Sequence, residues 1–160
     1  MDILQFLPLT LTTTKAGTAA GTTSTLTTAN TTVYAYRGKA FSKAAITNQA
    51  TPIVDHTTNL AFNGLVANQG CIFVLSFDTA GNLRVSQGPV GTLDVTGKFI
   101  YAPNFPTVFE GDVPFAYLVA LAGSTAVGSW IFGTNNLSAV TGLTYNFQDV
   151  LSLPDRLQVA

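Results

Sequence analysis

The chain has 160 residues, of which 15 carry a formal charge, 7 Lys and Arg against 8 Asp and Glu. That is 9 % of the chain, where a soluble globular domain carries about 25 %, and a net charge of -1 leaves no cationic surface to displace the counterions of a nucleic acid. With 47 % hydrophobic residues one domain can bury a core, so disorder is excluded over most of the length and the surface must be mostly Thr, Asn, Ser, Gly and Ala, which suits an assembled particle.

The first residues, Met1 to Leu9, contain an apolar tip of Ile3, Leu4, Phe6, Leu7 and Leu9. They lack the basic flank and long apolar stretch of a secretory signal, and no window reaches the roughly 18 apolar residues of a membrane span. No membrane insertion is expected. From Thr10 to Thr32 threonine takes 12 of 23 positions and Lys15 is the single charge. β-Branched threonine favours extended backbone, Gly17 and Gly21 relax it, and no stripe of 3.6-residue period appears. Residues 1–32 are therefore expected to form an extended arm, either a low-complexity tail or a segment that orders by laying strand-like hydrogen bonds on a neighbouring subunit.

The character changes near residue 32. Val33 to Arg37 and Lys39 to Phe41, separated by Gly38, read as a strand pair or one bulged strand. Lys43 to Asp55 is irregular, and Asp55 to Asn59 reads as a turn before Leu60-Ala61-Phe62. Gly70 to Phe77, then the turn Asp78-Thr79-Ala80-Gly81-Asn82, then Leu83 to Gln87 give the clearest hairpin. Its second strand puts Leu83, Val85 and Gln87 on one face, with Arg84 and Ser86 toward water or a partner.

Two shorter extended pieces surround Gly97 and end at Pro103 and Pro106. Val113 to Leu121 reads as a strand in preference to a short helix, with Pro114 confined to an edge or strand start. Strand character returns at Trp130-Ile131-Phe132 and at Leu143 to Val150. Short strands recurring with Gly, Pro and Asn turns predict an all-β body over residues 33–150, an antiparallel β-barrel or β-sandwich, with residues 151–160 leaving as a short tail.

No constellation for chemistry emerges. Cys71 is the only cysteine; inside an apolar run it reads as a small buried hydrophobe, and a disulfide within the chain is impossible. His56 is the only histidine. Its neighbour Asp55 points the opposite way on a strand, and no Gly-x-Ser-x-Gly elbow is present. Glu110 and Asp112 are expected in a solvated turn, as are Asp78, Asp94 and Asp149 at turns or on the surface. Tyr34, Tyr36, Tyr101, Phe105 and Trp130 have rings that stack on sugars or pack in cores and interfaces. No catalytic residue, cofactor or metal is expected, and the chain is not read as an enzyme.

Three stretches, VYAYRGKAF at 33–41, NQGCIFVLSFDTAGNLRVSQGPV at 68–90, and SWIFGTNNLSAVTG at 129–142 with LPDR at 153–156, give the chain a local pattern that resembles small virion structural proteins of tailed bacteriophages. What the resemblance implies is a capsid decoration or cement protein, made in the host cytoplasm and bound to the outer capsid surface. Its partners would be major capsid protein subunits, and it would act as a homo-oligomer, a dimer or trimer, bridging neighbours through Ile3, Leu4, Phe6, Leu7, Leu9, Tyr34 and Tyr36. A tail, neck or fibre-associated virion protein and a carbohydrate-binding module are the alternative expectations.

Overall fold

A computed structural model describes residues 10–137 and 140–154. Among them every regular element is a strand: β1 (Leu11–Thr12), β2 (Thr18–Ala20), β3 (Thr25–Thr28), β4 (Thr32–Tyr36), β5 (Lys39–Lys43), β6 (Gln49–Ala50), β7 (Gln69–Phe77), β8 (Leu83–Gln87), β9 (Gly91–Thr92), β10 (Val113–Ala122) and β11 (Leu143–Asp149). They pair antiparallel in three sheets. The central one runs β11-β10-β7-β8 with β9 beside β7, and two smaller ones run β1-β4-β5 and β2-β3-β6. Among the described residues no helix is long and apolar enough to cross a membrane.

The predicted hairpin is β7 and β8, in register from Phe77↔Leu83 to Phe73↔Gln87. Asp78 closes its turn by accepting the N–H groups of Ala80 and Asn82 at 2.9 Å. β7 is an almost continuous apolar run because both of its faces are covered. Cys71, Phe73, Leu75 and Phe77 face the main core with Phe115, Leu118 and Phe132, whereas Ile72 and Val74 join Tyr117 in a second cluster under Phe105, Val108 and Leu153. Each such side chain contributes about 1.5–3 kcal/mol of burial.

β10 is the strand the apolar run predicted, and Pro114 sits at its second residue, before the pairing with β11 begins at Ala116↔Asp149. A bulge between Pro114 and Ala116 skips Phe115 in the ladder with β7. Two consecutive residues, Phe115 and Ala116, thereby both turn into the core. The extra ring stacks on Phe77 with centroids 4.3 Å apart.

The first strand pair is a hairpin, β4 with β5, closed by Arg37 and Gly38, both at positive φ (49° and 79°). Two such residues make the turn whose twist matches the strands on either side. Tyr34 lies in the core at 1 % exposure, its ring stacked on Phe41 and its hydroxyl donating to the Asp78 carbonyl at 2.8 Å. Tyr36 is half-buried.

Residues 10–32 are extended, as their threonines predict, but they are built into the body. β1 pairs with β4, and the Thr12 N–H donates to the Leu151 carbonyl at 2.8 Å. Ala16 and Leu26 are fully buried in the main core. The expected boundary at residue 32 is therefore absent from the packing, because β1 pairs with β4 and β3 with β6, strands that lie at or beyond it. Residues 151–154 likewise stay on the body, with Leu153 against the second cluster. The apolar tip Ile3, Leu4, Phe6, Leu7 and Leu9 and the final residues 155–160 lie outside the described residues.

Candidate functional site

A group of polar side chains lies on the outer edge of β8, where residues 54–61 fold back as a loop. A Val54↔Ala61 bridge closes this loop, and the His56 N–H donates to the Val85 carbonyl at 2.9 Å. Asp55 nucleates it. One carboxylate oxygen accepts the N–H groups of Thr57 (2.7 Å) and Thr58 (3.1 Å), and the other accepts that of Gln87 (2.9 Å). Such side-chain to backbone bonding is typical of aspartate turns.

His56 faces away from Asp55 and toward Asp112, with Nδ1 and Oδ2 2.7 Å apart. The Phe109 ring packs on the imidazole at 4.8 Å between centroids. The Asp112 side chain is only 2 % exposed, which corrects its expected place in a solvated turn. Burial pushes its carboxyl above the ordinary value of 3.8, and the hydrogen bond and charge of His56 pull the other way without cancelling it. Glu110, two residues earlier, is exposed and pairs with Arg37. The two carboxylates therefore serve different partners.

Asp78 supplies the neighbouring charge pair, with Arg84 Nη2 at 3.0 Å. Burial raises its carboxyl, but hydrogen bonds from Asn82, Arg84 and Ala80 outweigh it and hold the group below 3.8. Of Arg84 and Ser86, expected toward water or a partner, Arg84 keeps 38 % of its side chain exposed, whereas Ser86 is 2 % exposed and its hydroxyl meets Thr57 Oγ1 at 2.9 Å. Thr57 in turn donates to the Thr107 carbonyl at 2.8 Å.

The arrangement holds a histidine against a buried carboxylate, yet hydrolytic chemistry needs a nucleophile on the other ring nitrogen. Among the described residues no hydroxyl or thiol hydrogen-bonds His56 Nε2. Ser86 and Thr57 bond each other, and the Cys71 thiol is fully buried and pushed up to about 12 by that burial. Beside the loop lies a groove of about 460 Å³ lined by Asn63, Gln87, Pro89, Phe105 and Pro106 among others. The Gln87 side-chain amide is engaged with the Asn63 backbone: the Asn63 backbone N–H donates to Gln87 Oε1 and Gln87 Nε2 donates to the Asn63 backbone carbonyl. Among the described residues no three His, Cys, Asp or Glu side chains gather as metal ligands.

Of the rings singled out for stacking, Tyr34 and Trp130 are buried, and Phe105 packs edge-on against Tyr117. Tyr101, at 83 % exposure, is the fully accessible one among them. Asp94 closes a turn through the N–H groups of Thr96 and Lys98, as expected.

Asp149 holds a place the sequence did not reveal. Its carboxylate accepts the N–H groups of Gly17 (2.8 Å) and Thr18 (3.1 Å) and the Thr18 hydroxyl (2.7 Å), fastening the first strands to the last. Neither this clamp nor the His56–Asp112 pair has a sequence signature, since the partners lie 132 and 56 residues apart. No protein-family model matches the chain, and no curated protein or solved structure matches it.

Proposed function

We propose that the chain is a non-enzymatic structural protein of a virus particle, binding the outer capsid at subunit junctions and stabilising the mature head. The observation that carries this reading is the placement of exposed apolar side chains on loops at both ends of the central sheet. At the end where β7 begins and β10 finishes, Val66, Val95 and Val127 are 45 %, 101 % and 90 % exposed. At the other end Phe109 and Leu151 are about half exposed and, with Tyr36, line a shallow groove at Thr10. A bridging protein needs two contact surfaces. Binding that exists only in the assembled shell stabilises the shell by linkage.

The N-terminal tip serves the same reading. Nine residues span at most about 30 Å, so Ile3, Leu4, Phe6, Leu7 and Leu9 are in reach of a neighbour of the Thr10 end. Further support comes from the low charge content, 15 charged residues in 160, and from the resemblance of residues 33–41, 68–90 and 129–142 to small phage virion proteins. We read the three sheets as a sandwich, because side chains of β3 and β4 meet the inner face of β7 and β10 in one cluster.

Immunogold labelling of virions made together with the chain tests the proposal. Regular label over the head is the expected result. Label confined to the tail or its vertex moves the chain to the tail-associated class, and virions without label overturn both. A glycan array probed with the isolated chain tests the carbohydrate-binding alternative, which specific binding would favour.

A further inference from the structure

The three sheets end in edges that differ in how they are closed. The outer edge of β8 is covered by the Asp55–His56 loop, through bonds to Val85 and Gln87. The outer strand β5 carries Lys39 and Lys43 at its ends, and edge lysines disfavour pairing with another chain. β11 has neither device. Its sequence is Leu-Thr-Tyr-Asn-Phe-Gln-Asp, without lysine, proline or bulge, and its one charge, Asp149, is already occupied by Gly17 and Thr18.

Two hydrogen bonds beyond the strand fix which backbone groups face outward. Gly123 N–H donates to the Gly142 carbonyl, and Val150 N–H donates to the Phe115 carbonyl. In an antiparallel ladder bonded and non-bonded pairs alternate, so Thr144, Asn146 and Gln148 bond to β10. Tyr145 and Phe147 then direct their N–H and C=O groups away from the sheet, and among the described residues no backbone group accepts or donates to them. Just past this stretch β1 takes over the edge through the Thr12 to Leu151 bond.

We propose that this open stretch of β11 pairs with the same stretch of a second copy, antiparallel, about a two-fold axis at Asn146. That register is self-complementary. Tyr145 meets Phe147 of the second copy as a bonded pair, and Phe147 meets its Tyr145, giving four backbone hydrogen bonds. The Tyr145 and Phe147 rings, 5.9 Å apart and edge-to-face within one chain, extend into a four-ring row on the inner side of the joined sheet. Asp149 faces Leu143 of the second copy, so no like charges are opposed. The pairing belongs to the isolated chain and does not depend on its meeting a particle.

The two Asn146 residues form the non-bonded pair on the axis, with Cα atoms about 4.5 Å apart, inside the span that a disulfide bridges. Cys71 is buried and stays silent. In the full chain Asn146→Cys is therefore expected to give at least roughly tenfold more disulfide-linked dimer under mild oxidation than Thr144→Cys, whose two copies lie four residues out of register. Sedimentation of the unmodified chain is expected to show a dimer that Tyr145→Lys dissociates while its thermal unfolding stays cooperative. Equal cross-linking of the two cysteine variants, a monomeric unmodified chain, or a Tyr145→Lys dimer of undiminished affinity would overturn the proposal.

Discussion

Replacing Asp149 by alanine tests whether residues 10–20 belong to the body. The carboxylate accepts two backbone N–H groups and one hydroxyl from Gly17 and Thr18. Alanine leaves both amides unpartnered in a half-buried seam, where each orphaned donor costs about 1–3 kcal/mol. Water reaching the seam relieves part of this, so the loss is about 2–4 kcal/mol. For a chain of this length Tm falls about 2–4 °C per kcal/mol. The assay is urea unfolding followed by the fluorescence of Trp130, which is the only tryptophan and lies 6 % exposed against Phe73 and Phe132. Amide exchange at Gly17 and Thr18 is read alongside. Asp149→Asn keeps an acceptor without the charge and is expected to lose less. An unchanged unfolding midpoint would refute the reasoning. Faster exchange confined to residues 10–20, with global stability intact, would show instead that this segment is an independent arm.

Thr32 is fully buried, and its hydroxyl has no partner among the described residues. Thr32→Val is isosteric and is expected to raise stability by about 1 kcal/mol, read as a higher urea midpoint at unchanged slope; a lower midpoint would mean that the hydroxyl is bonded. The folded Asp112 carboxyl binds its proton more tightly than the unfolded one. Its contribution is thus fully present below about 3.8 and is lost as pH rises through the raised folded value. The stability of the unmodified chain minus that of Asp112→Asn should therefore fall as pH rises through this window. A difference that grows would show that His56 holds the carboxylate charged. With its thiol near 12, Cys71 should resist a disulfide reagent at pH 8 in the folded chain and react with one equivalent after denaturation; rapid reaction of the folded chain would contradict its burial.

Local chemistry made the central elements legible. β7 and β8 follow from β-branched and aromatic residues around an aspartate–glycine turn, and the start of β10 from the lone place in a paired strand that Pro114 tolerates. Cys71 was readable for the same reason, since its neighbours alone define an apolar strand. Residues 10–32 were half readable: threonine dictates extended backbone, but Leu26 and Ala16 are too few to reveal that they join the main core with residues of β4, β7 and β10. Asp112 was misread because a glycine-flanked acid looks solvated until a histidine from another loop lies over it. Ser86 was misread because alternation reports which side of a strand a residue faces, not whether a later segment, here residues 105–108, covers that side.

The clamp that joins Thr12, Gly17 and Thr18 to Asp149 and Leu151 has a consequence for synthesis. The beginning of the chain receives these two partners only when its end has been made. At about 5–20 residues per second a ribosome takes roughly 7–28 s to travel that far. Throughout that interval β1 has β4 and β3 has β2 and β6 to pair with, but the N–H groups of Thr12, Gly17 and Thr18 still lack their late acceptors. A segment rich in valine and isoleucine would aggregate while waiting. Threonine has the same branched backbone preference with a hydroxyl that water satisfies, so residues 10–32 can stay solvated and extended until β11 arrives.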